Sequence, residues 1–285
     1  MPTMKIIRRR IASVNSTKQI MKAMNLAASS KVQKARVQLD LIRPMFDDVE
    51  MIIDSIRTCE STEENIFVQK RKVKRVAYLV IMADRGLCGA YNINVGKAAL
   101  AHMNEHADGK ETIIAIGSRS WDFFRRRGKN ITHKYQGVTE SVTPDFAQEI
   151  GQKLLNMYKS GEADELYIVY TSFISILSYM PKVIKVLPLS AETRKLEGES
   201  FDVMSYDPDV NTFLDHTVPL YINTLIYSTM MESNVCEQAA RMTSMDAAAR
   251  NADEIIEDLT LDYNRRRQGA ITQEISEIVS GANAI

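Results

Sequence analysis

Two stretches, one at each end of the chain, repeat apolar residues every seven positions, and few folds accept that pattern. With Met4 as heptad position a, the a series reads Met4, Ile11, Lys18, Asn25, Val32, Leu39, Phe46 and Ile53. The d series reads Ile7, Val14, Met21, Ala28, Ala35, Ile42, Val49 and Ile56. Only Lys18 and Asn25 are polar. A stripe returning every 3.5 residues marks a helix that pairs with another helix in a left-handed supercoil. Drawn from Thr3 to Arg57, such a helix is roughly 80 Å long, more than a compact domain needs.

The second stretch begins near Asp209 and runs to Ile285, roughly 115 Å if wholly helical. Its seam is Val235, Met242, Ala249, Ile256 and Tyr263, with Met245, Ala252 and Leu259 at the alternate positions. The register then slips, and Ile271, Ile275, Ile278 and Ala282 form a fresh stripe, so pairing changes there. Charge marks the two arms as each other's partners. Between Lys5 and Arg36 the first has nine basic residues and no acid. Between Glu232 and Asp262 the second has eight acids against Arg241 and Arg250. Opposite charges beside an apolar seam select partner and orientation, and the intervening domain makes an antiparallel pairing the simplest closure. The second arm then outruns the first by roughly twenty residues at 1.5 Å each. Its last apolar stripe needs a cover, which other subunits would supply. Pro44 and Pro219 each remove an intrahelical hydrogen bond, so bends are expected there rather than helix ends.

Thirty-six basic and 36 acidic residues leave the chain formally neutral, so net charge points to no nucleic acid. Cys59, Cys88 and Cys236 have no metal-ligand spacing, and their odd number argues against a disulfide framework. The longest apolar run, Val76–Ala83, is too short to span a membrane. The basic N-terminus superficially resembles a transit peptide, but the heptad register runs through it from Met4, which removable sequence would not require, so it reads as mature protein.

From Val73 the period changes. Val76–Ala83 reads as a buried strand, followed by the loop Asp84–Asn92 and a helix to about Glu105. Thr112–Gly117 is a second strand and Ser118–Arg127 a short helix stopped by Gly128. Ile131–Val138 is an edge strand and Pro144–Lys159 an amphipathic helix. Leu166–Ser172 and Val183–Leu189 complete a sheet, and Ser190–Tyr206 is the exit loop. This alternation predicts a Rossmann-like α/β domain with a mostly parallel sheet, beside a long antiparallel α-helical coiled coil. The divisions fall at 1–72, 73–205 and 206–285.

Gly86 and Gly89 stand between a strand and a helix, where exposed amides can cradle phosphate. The chain has neither GxxxxGK[ST] nor GxGxxG, so the loop reads as a structural turn or a protein contact. His102 and His106 share a helix face at metal-ligand spacing, without an evident third ligand, and His133 and His216 have no partner constellation. No catalytic set, metal centre or cofactor site is legible.

Three blocks carry a family resemblance. They are IRRRIASVNSTKQIMKAMNLAASSKVQKAR in the opening helix, DRGLCGAYN after the first central strand, and YNRRRQGAITQEISEIVSGANAI at the C-terminus. EQAARMTSMDAAARNA adds to them. Over its full length the chain resembles the gamma subunit of the F-type ATP synthase. That resemblance implies a single-copy rotor shaft inside a hexamer of α and β subunits, with its α/β domain against the epsilon subunit and the c ring. Nucleotide chemistry would belong to the partners, and a bacterial plasma membrane, on its cytoplasmic side, is the implied location.

Matched residue by residue, Lys22, Met24 and Arg241 fall where the family meets an acidic lever of a β subunit. Arg267, Gln268, Thr272 and Glu274 match residues that engage a β loop higher up the shaft. Tyr206, Asp207 and Asp209 lie on the side of the c ring and epsilon. The signature loop comprises Asp84, Arg85, Gly86, Leu87, Cys88 and Gly89; it departs from the family at Ala90 and Tyr91, where glycine and phenylalanine are usual. Met24, next to Asn25, is expected to face outward. The polar pair Lys18 and Asn25 is expected to soften the shaft's neck. Two other readings are a coiled-coil scaffold that forms its own oligomer and a nucleotide-binding enzyme; neither accounts for the three blocks.

Overall fold

The computed structural model describes residues 4–57, 65–69, 71–107, 110–189 and 209–282. They form two compact units, one of Met1–Ser29 with Arg241–Ile285 and the other of Ser30–Ala240. Helix α1 spans Met4–Arg57 and helix α5 Val210–Ala282, so each contributes to both units. Neither Pro44 nor Pro219 ends its helix. Helix α5 begins where Asp209 caps it. The carboxylate accepts from the Asn211 and Thr212 amides, both at 2.9 Å, and from the Thr212 hydroxyl at 2.6 Å. These bonds satisfy amides that the first helical turn leaves without partners. Among the described residues, no helix is long and apolar enough to cross a membrane.

In the larger unit the elements between the arms are β1 (Val76–Ile81), α2 (Tyr91–His106), β2 (Glu111–Ile116), α3 (Ser118–Arg125) and β3 (Ile131–Tyr135). They continue with α4 (Pro144–Lys159), β4 (Glu165–Ser175) and β5 (Ser178–Leu187). The sheet order is β3-β2-β1-β4-β5, parallel except for the β4–β5 pair. Successive strand residues point to opposite faces, and both faces are buried. Ala77, Leu79 and Ile81 of β1 join one core with Ile150 and Leu154 of α4, Ile222 and Ile226 of α5, and Val49 and Ile53 of α1. Val76, Tyr78 and Val80 join the other with Val95, Ala99 and Met103 of α2 and Phe124 of α3. This double burial explains the uninterrupted apolar run that marks β1.

Element ends differ from the sequence reading in informative ways. The Ile131 strand stops at Tyr135, and α3 stops at Arg125, ahead of Gly128 at φ +67°. The last strand starts at Ser178 rather than Val183 and forms an antiparallel hairpin with β4. Its first residues lack continuous apolarity, and it contains Pro181, which a sheet tolerates on an edge strand. The helix over Pro144–Lys159 agrees with expectation. Thr143 accepts from the Phe146 amide at 3.3 Å, and Pro144 occupies the first turn, where no amide is needed. The predicted exit loop, Ser190–Tyr206, lies outside the described residues.

Candidate interaction surfaces

In the unit built from the two chain ends, the heptad stripe faces inward. Ile7 and Ala28 are buried, and Ile11, Val14, Lys18, Met21 and Asn25 are half-buried. Opposite them, Met245, Ala249 and Ala252 are buried, and Met242, Ile256, Leu259 and Tyr263 half-buried. Both polar seam positions have partners. Lys18 Nζ pairs with the Asp253 carboxylate, and Asn25 Nδ2 donates to the Met242 carbonyl at 2.8 Å. As one helix ascends from 18 to 25, its partner descends from 253 to 242, so the pairing is antiparallel.

The residues matched to the acidic lever have unlike surroundings. Lys22 is exposed on a groove of about 380 Å³ lined also by Asn25, Leu26, Asp246 and Arg250. Met24, expected to face outward, is half-buried, because its neighbour Asn25 turns toward α5. Arg241 is buried, with 6% of its surface accessible. Lys22 is therefore the outward member of this group. Farther along α5 the environment becomes uniform: Arg267, Gln268, Thr272 and Glu274 are all exposed. The Thr272 hydroxyl donates to the Gln268 carbonyl at 3.0 Å, within its own helix. Ile271, Ile275, Ile278 and Val279 are exposed as well. Beyond the seam, α5 thus presents an apolar stripe beside a polar set. Of the three arginines at 265–267, Arg266 pairs with Asp262 one turn back, whereas Arg265 and Arg267 are exposed.

In the larger unit the signature loop is bound into the body. It follows β1, beside the point where the strand order reverses between β1 and β4, the crevice at which such sheets take ligands. Here that crevice is occupied by protein. Cys88 and Tyr91 are buried with Ala83 against Cys236 and Ala240 of α5, and the Tyr91 hydroxyl donates to the Ser233 carbonyl at 3.1 Å. The Tyr91 amide, at the start of α2, already donates to the Cys88 carbonyl. Asn92 closes the turn from within, accepting from the Ala83 amide at 2.9 Å and donating to Cys88 Sγ at 3.1 Å. Of the amides around this turn, those of Ala83 and Tyr91 are thereby committed to its own structure.

Asp84 is the loop's anchor. One carboxylate oxygen accepts from the Ser118 amide and hydroxyl, both at 2.9 Å. The other accepts from the Thr139 amide at 3.2 Å and hydroxyl at 3.0 Å. Burial works to raise the Asp84 pKa, but amide donors at Gly137, Ser118 and Thr139 together hold it below the usual carboxylate value. Arg85 faces Glu140 at 3.8 Å, and a side chain at Gly86 would press on the Arg119 guanidinium. Leu87 adopts a positive φ of 63° with its side chain 61% exposed, and Gly89 follows at 55°. The loop therefore offers Leu87 outward beside exposed Arg85 and Ala90, while Asp84 and Cys88 serve its own fold.

Tyr206 and Asp207 lie outside the described residues, and Asp209 caps α5. Its exposed carboxyl is held below its ordinary pKa, first by the Thr212 hydroxyl and then by the Thr212 amide. Sequence reasoning missed the partners of Asp84, because Ser118 and Thr139 carry no pattern linking them to a residue 34 and 55 positions away. It missed the Lys31–Glu140 pair for the same reason. The charge bias of the two arms did signal the sign of the Lys18–Asp253 pair, though not its members.

The ATP synthase family matches residues 3–285. An ATP synthase gamma chain of Alkaliphilus metalliredigens is 43% identical over 99% of this chain and 98% of its own length. One of Acetobacterium woodii, described as sodium ion specific, is 40% identical over 98% of this chain and 97% of its own. Among solved structures, a chain of the Euglena gracilis mitochondrial ATP synthase OSCP/F1/c-ring assembly superposes with a TM-score of 0.70. It shares 16% identity and covers 99% of this chain and 94% of its own. A chain from the central stalk and c-ring of the Tetrahymena thermophila mitochondrial enzyme gives 0.63 at 20% identity, over 80% of this chain and 99% of its own.

Proposed function

The chain belongs to the ATP synthase gamma-chain family, and on that premise we propose that it is the central-stalk rotor subunit of an F-type ATP synthase. It carries rotation of a membrane c ring to the catalytic hexamer of α and β subunits, coupling ion movement to ATP synthesis or hydrolysis. The observation that carries this reading is identity of about 40% to named gamma chains along the whole length. The subunit itself is non-catalytic and is present once per complex.

In this reading residues 1–72 and 206–285 are the shaft and 73–205 the α/β body, which meets the epsilon subunit and c ring. Lys22, Met24 and Arg241 serve the lower β contact, with exposed Lys22 meeting the acidic lever directly and buried Arg241 supporting the helix behind it. Arg267, Gln268, Thr272 and Glu274 meet a β loop higher up, and their uniform exposure supports that role. The stripe of Ile271, Ile275 and Ile278 is the surface a sleeve of α and β subunits would cover. Tyr206, Asp207 and Asp209 face the c ring or epsilon. The complex sits on the cytoplasmic side of a bacterial plasma membrane, with this chain peripheral.

Reconstitution tests the proposal. The purified chain is mixed with the α and β subunits of its host, and co-elution and ATPase activity are followed. The expected product has three α, three β and one copy of this chain, and hydrolyses ATP while the isolated chain does not. A chain that ignores α and β and assembles with itself would instead be a scaffold.

A further inference from the structure

The four parallel strands start at nearly the same level. Val76 of β1 pairs with Glu111 of β2 and Glu165 of β4, and Ile131 of β3 with Ile113. The connections that enter these strands therefore lie at one end of the sheet. Arg71, Lys72, Lys74 and Arg75 lead into β1, and Lys110 into β2. Arg126, Arg127 and Lys129 lead into β3, and Lys159 closes α4 ahead of β4. Arg71 and Lys129 are half-buried, and the others are exposed. Most acids nearby are engaged. Glu111 pairs with Lys129 and Glu165 with Lys185, both at 2.6 Å. Asp164 accepts from the Lys74 and Arg75 amides at 2.8 and 2.9 Å. Glu105 and Glu162 remain exposed, which leaves this end with basic charge in excess.

We propose that this end of the α/β body docks on an anionic phospholipid surface, where its lysines and arginines meet headgroup phosphates. Neighbouring strands lie about 4.8 Å apart, so four of them spread the charge over roughly 15 Å. A bilayer offers phosphate across a plane, and each Lys or Arg near such a surface is worth roughly fivefold in affinity. The platform is already tied together. The Val76 amide donates to the Lys110 carbonyl at 3.3 Å and the Asp164 amide to the Arg75 carbonyl at 2.8 Å, so docking orders little backbone. Val73, 43% exposed between Lys72 and Lys74, adds an apolar contact. Two aromatic rings here serve the fold instead. Arg71 lies 4.7 Å over the Tyr158 ring and Lys159 5.4 Å over that of Phe67, and both rings are wholly buried. Neither offers the stacking face that single-stranded nucleic acid uses. The same end holds the start of α5, since Asn65 Nδ2 donates to Asn211 Oδ1 at 3.3 Å. The inference rests on the rotor reading for its setting, in which that first turn faces the c ring and the membrane around it.

Co-sedimentation of the full-length chain with vesicles tests the inference. One set is phosphatidylcholine alone and the other an equimolar mixture of phosphatidylcholine and phosphatidylglycerol. The chain is expected to bind the mixed vesicles, to release them as salt rises, and to ignore the neutral ones. Lys72→Ala, Lys74→Ala, Lys110→Ala and Arg126→Ala together should weaken binding at least roughly a hundredfold while the Tm stays near that of the wild type. Arg8→Ala, Arg9→Ala and Arg10→Ala, which thin the basic charge of α1 instead, should leave most of the affinity in place. Equal binding to both vesicle types, loss in the α1 variant rather than the body variant, or preference for single-stranded RNA over the mixed vesicles would overturn the assignment. Failure to bind the mixed vesicles by a chain that still co-elutes with α and β subunits would overturn it too, and leave the rotor reading standing.

Discussion

Lys31 of α1 reaches Glu140, in the connection between β3 and α4, at 2.8 Å. Arg85 of the signature loop faces the same carboxylate at 3.8 Å. One acidic side chain thereby links the first arm, the loop and the α/β body at a single point. Both members of the first pair keep contact with water, so the link orients these elements more than it stabilises them.

Lys31→Ala is expected to cost less than about 1 kcal/mol, as exposed ion pairs do. A double-mutant cycle with Glu140→Gln in urea should return a coupling of a few tenths of a kcal/mol that shrinks with added salt. A coupling that salt leaves unchanged would show that charge does not hold the link.

Removing the loop's anchor costs more. Asp84→Ala strands two amides and two hydroxyls and is expected to destabilise the chain by about 3 kcal/mol. The pH dependence has a definite sign. The folded pKa lies below the unfolded one, so the stabilisation is complete above the unfolded value of about 3.9. It is lost as pH falls from there through the folded pKa. Denaturation between neutral pH and pH 3 checks this, and Asp84→Asn should flatten the acid limb.

Gly117 lies between β2 and α3 at φ +87°, and a Cβ there would fall 2.0 Å from the Met82 carbonyl oxygen. The obstacle is backbone, which cannot rotate away. Gly117→Ala is expected to cost more than about 3 kcal/mol, seen as a lowered Tm with loss of soluble protein.

Lys18 and Asn25 interrupt the apolar seam with a salt bridge and a hydrogen bond from a side-chain amide. Replacing both with Leu converts them to packing and leaves Asp253 able to meet water. Thermal stability should rise, since the exposed pair that is lost contributes less than about 1 kcal/mol and each leucine adds apolar surface to the seam. Torsional compliance of the assembled rotor should fall in a single-molecule rotation assay. Unchanged compliance would remove these positions as the source of softness.

The exposed stripe on α5 separates folding from assembly. Ile271→Ser, Ile275→Ser and Ile278→Ser together should leave the Tm of the isolated chain nearly unchanged, because surface substitutions stay within about 0.5 kcal/mol each. The same variant should co-elute less with α and β subunits. A large fall in the Tm of the isolated chain would mean the stripe is covered within the chain itself.

Much of the architecture was legible because its signals are periodic and local. The inward d residues Ile7, Ala28 and Ala35 and the a residues Val32 and Leu39 are all buried, as a 3.5-residue stripe requires. Alternation of strand and helix placed β1, β2 and α4 within a residue or two at their starts. The antiparallel β5 edge was less legible, since its first residues (Ser178 to Lys182) show no apolar run and owe their strand to pairing with β4. Candidate surfaces divided the same way. Exposure of Arg267 to Glu274 follows from the end of the apolar seam, whereas burial of Arg241 depends on what packs around it.

By itself the sequence determined that the two helical arms pair with each other, in which sense they run, that an α/β domain intervenes in the chain, and which family it belongs to. Helical period, strand alternation and charge bias are properties of neighbouring residues, so they survive without coordinates. Tertiary structure alone decided that Lys18 meets Asp253 across 235 positions, that Asp84 gathers Ser118 and Thr139, and that Tyr78 faces a histidine pair. Those contacts arise where chain closure brings distant side chains within about 3 Å, a distance at which direction and donor identity count. No repeat along the chain encodes them.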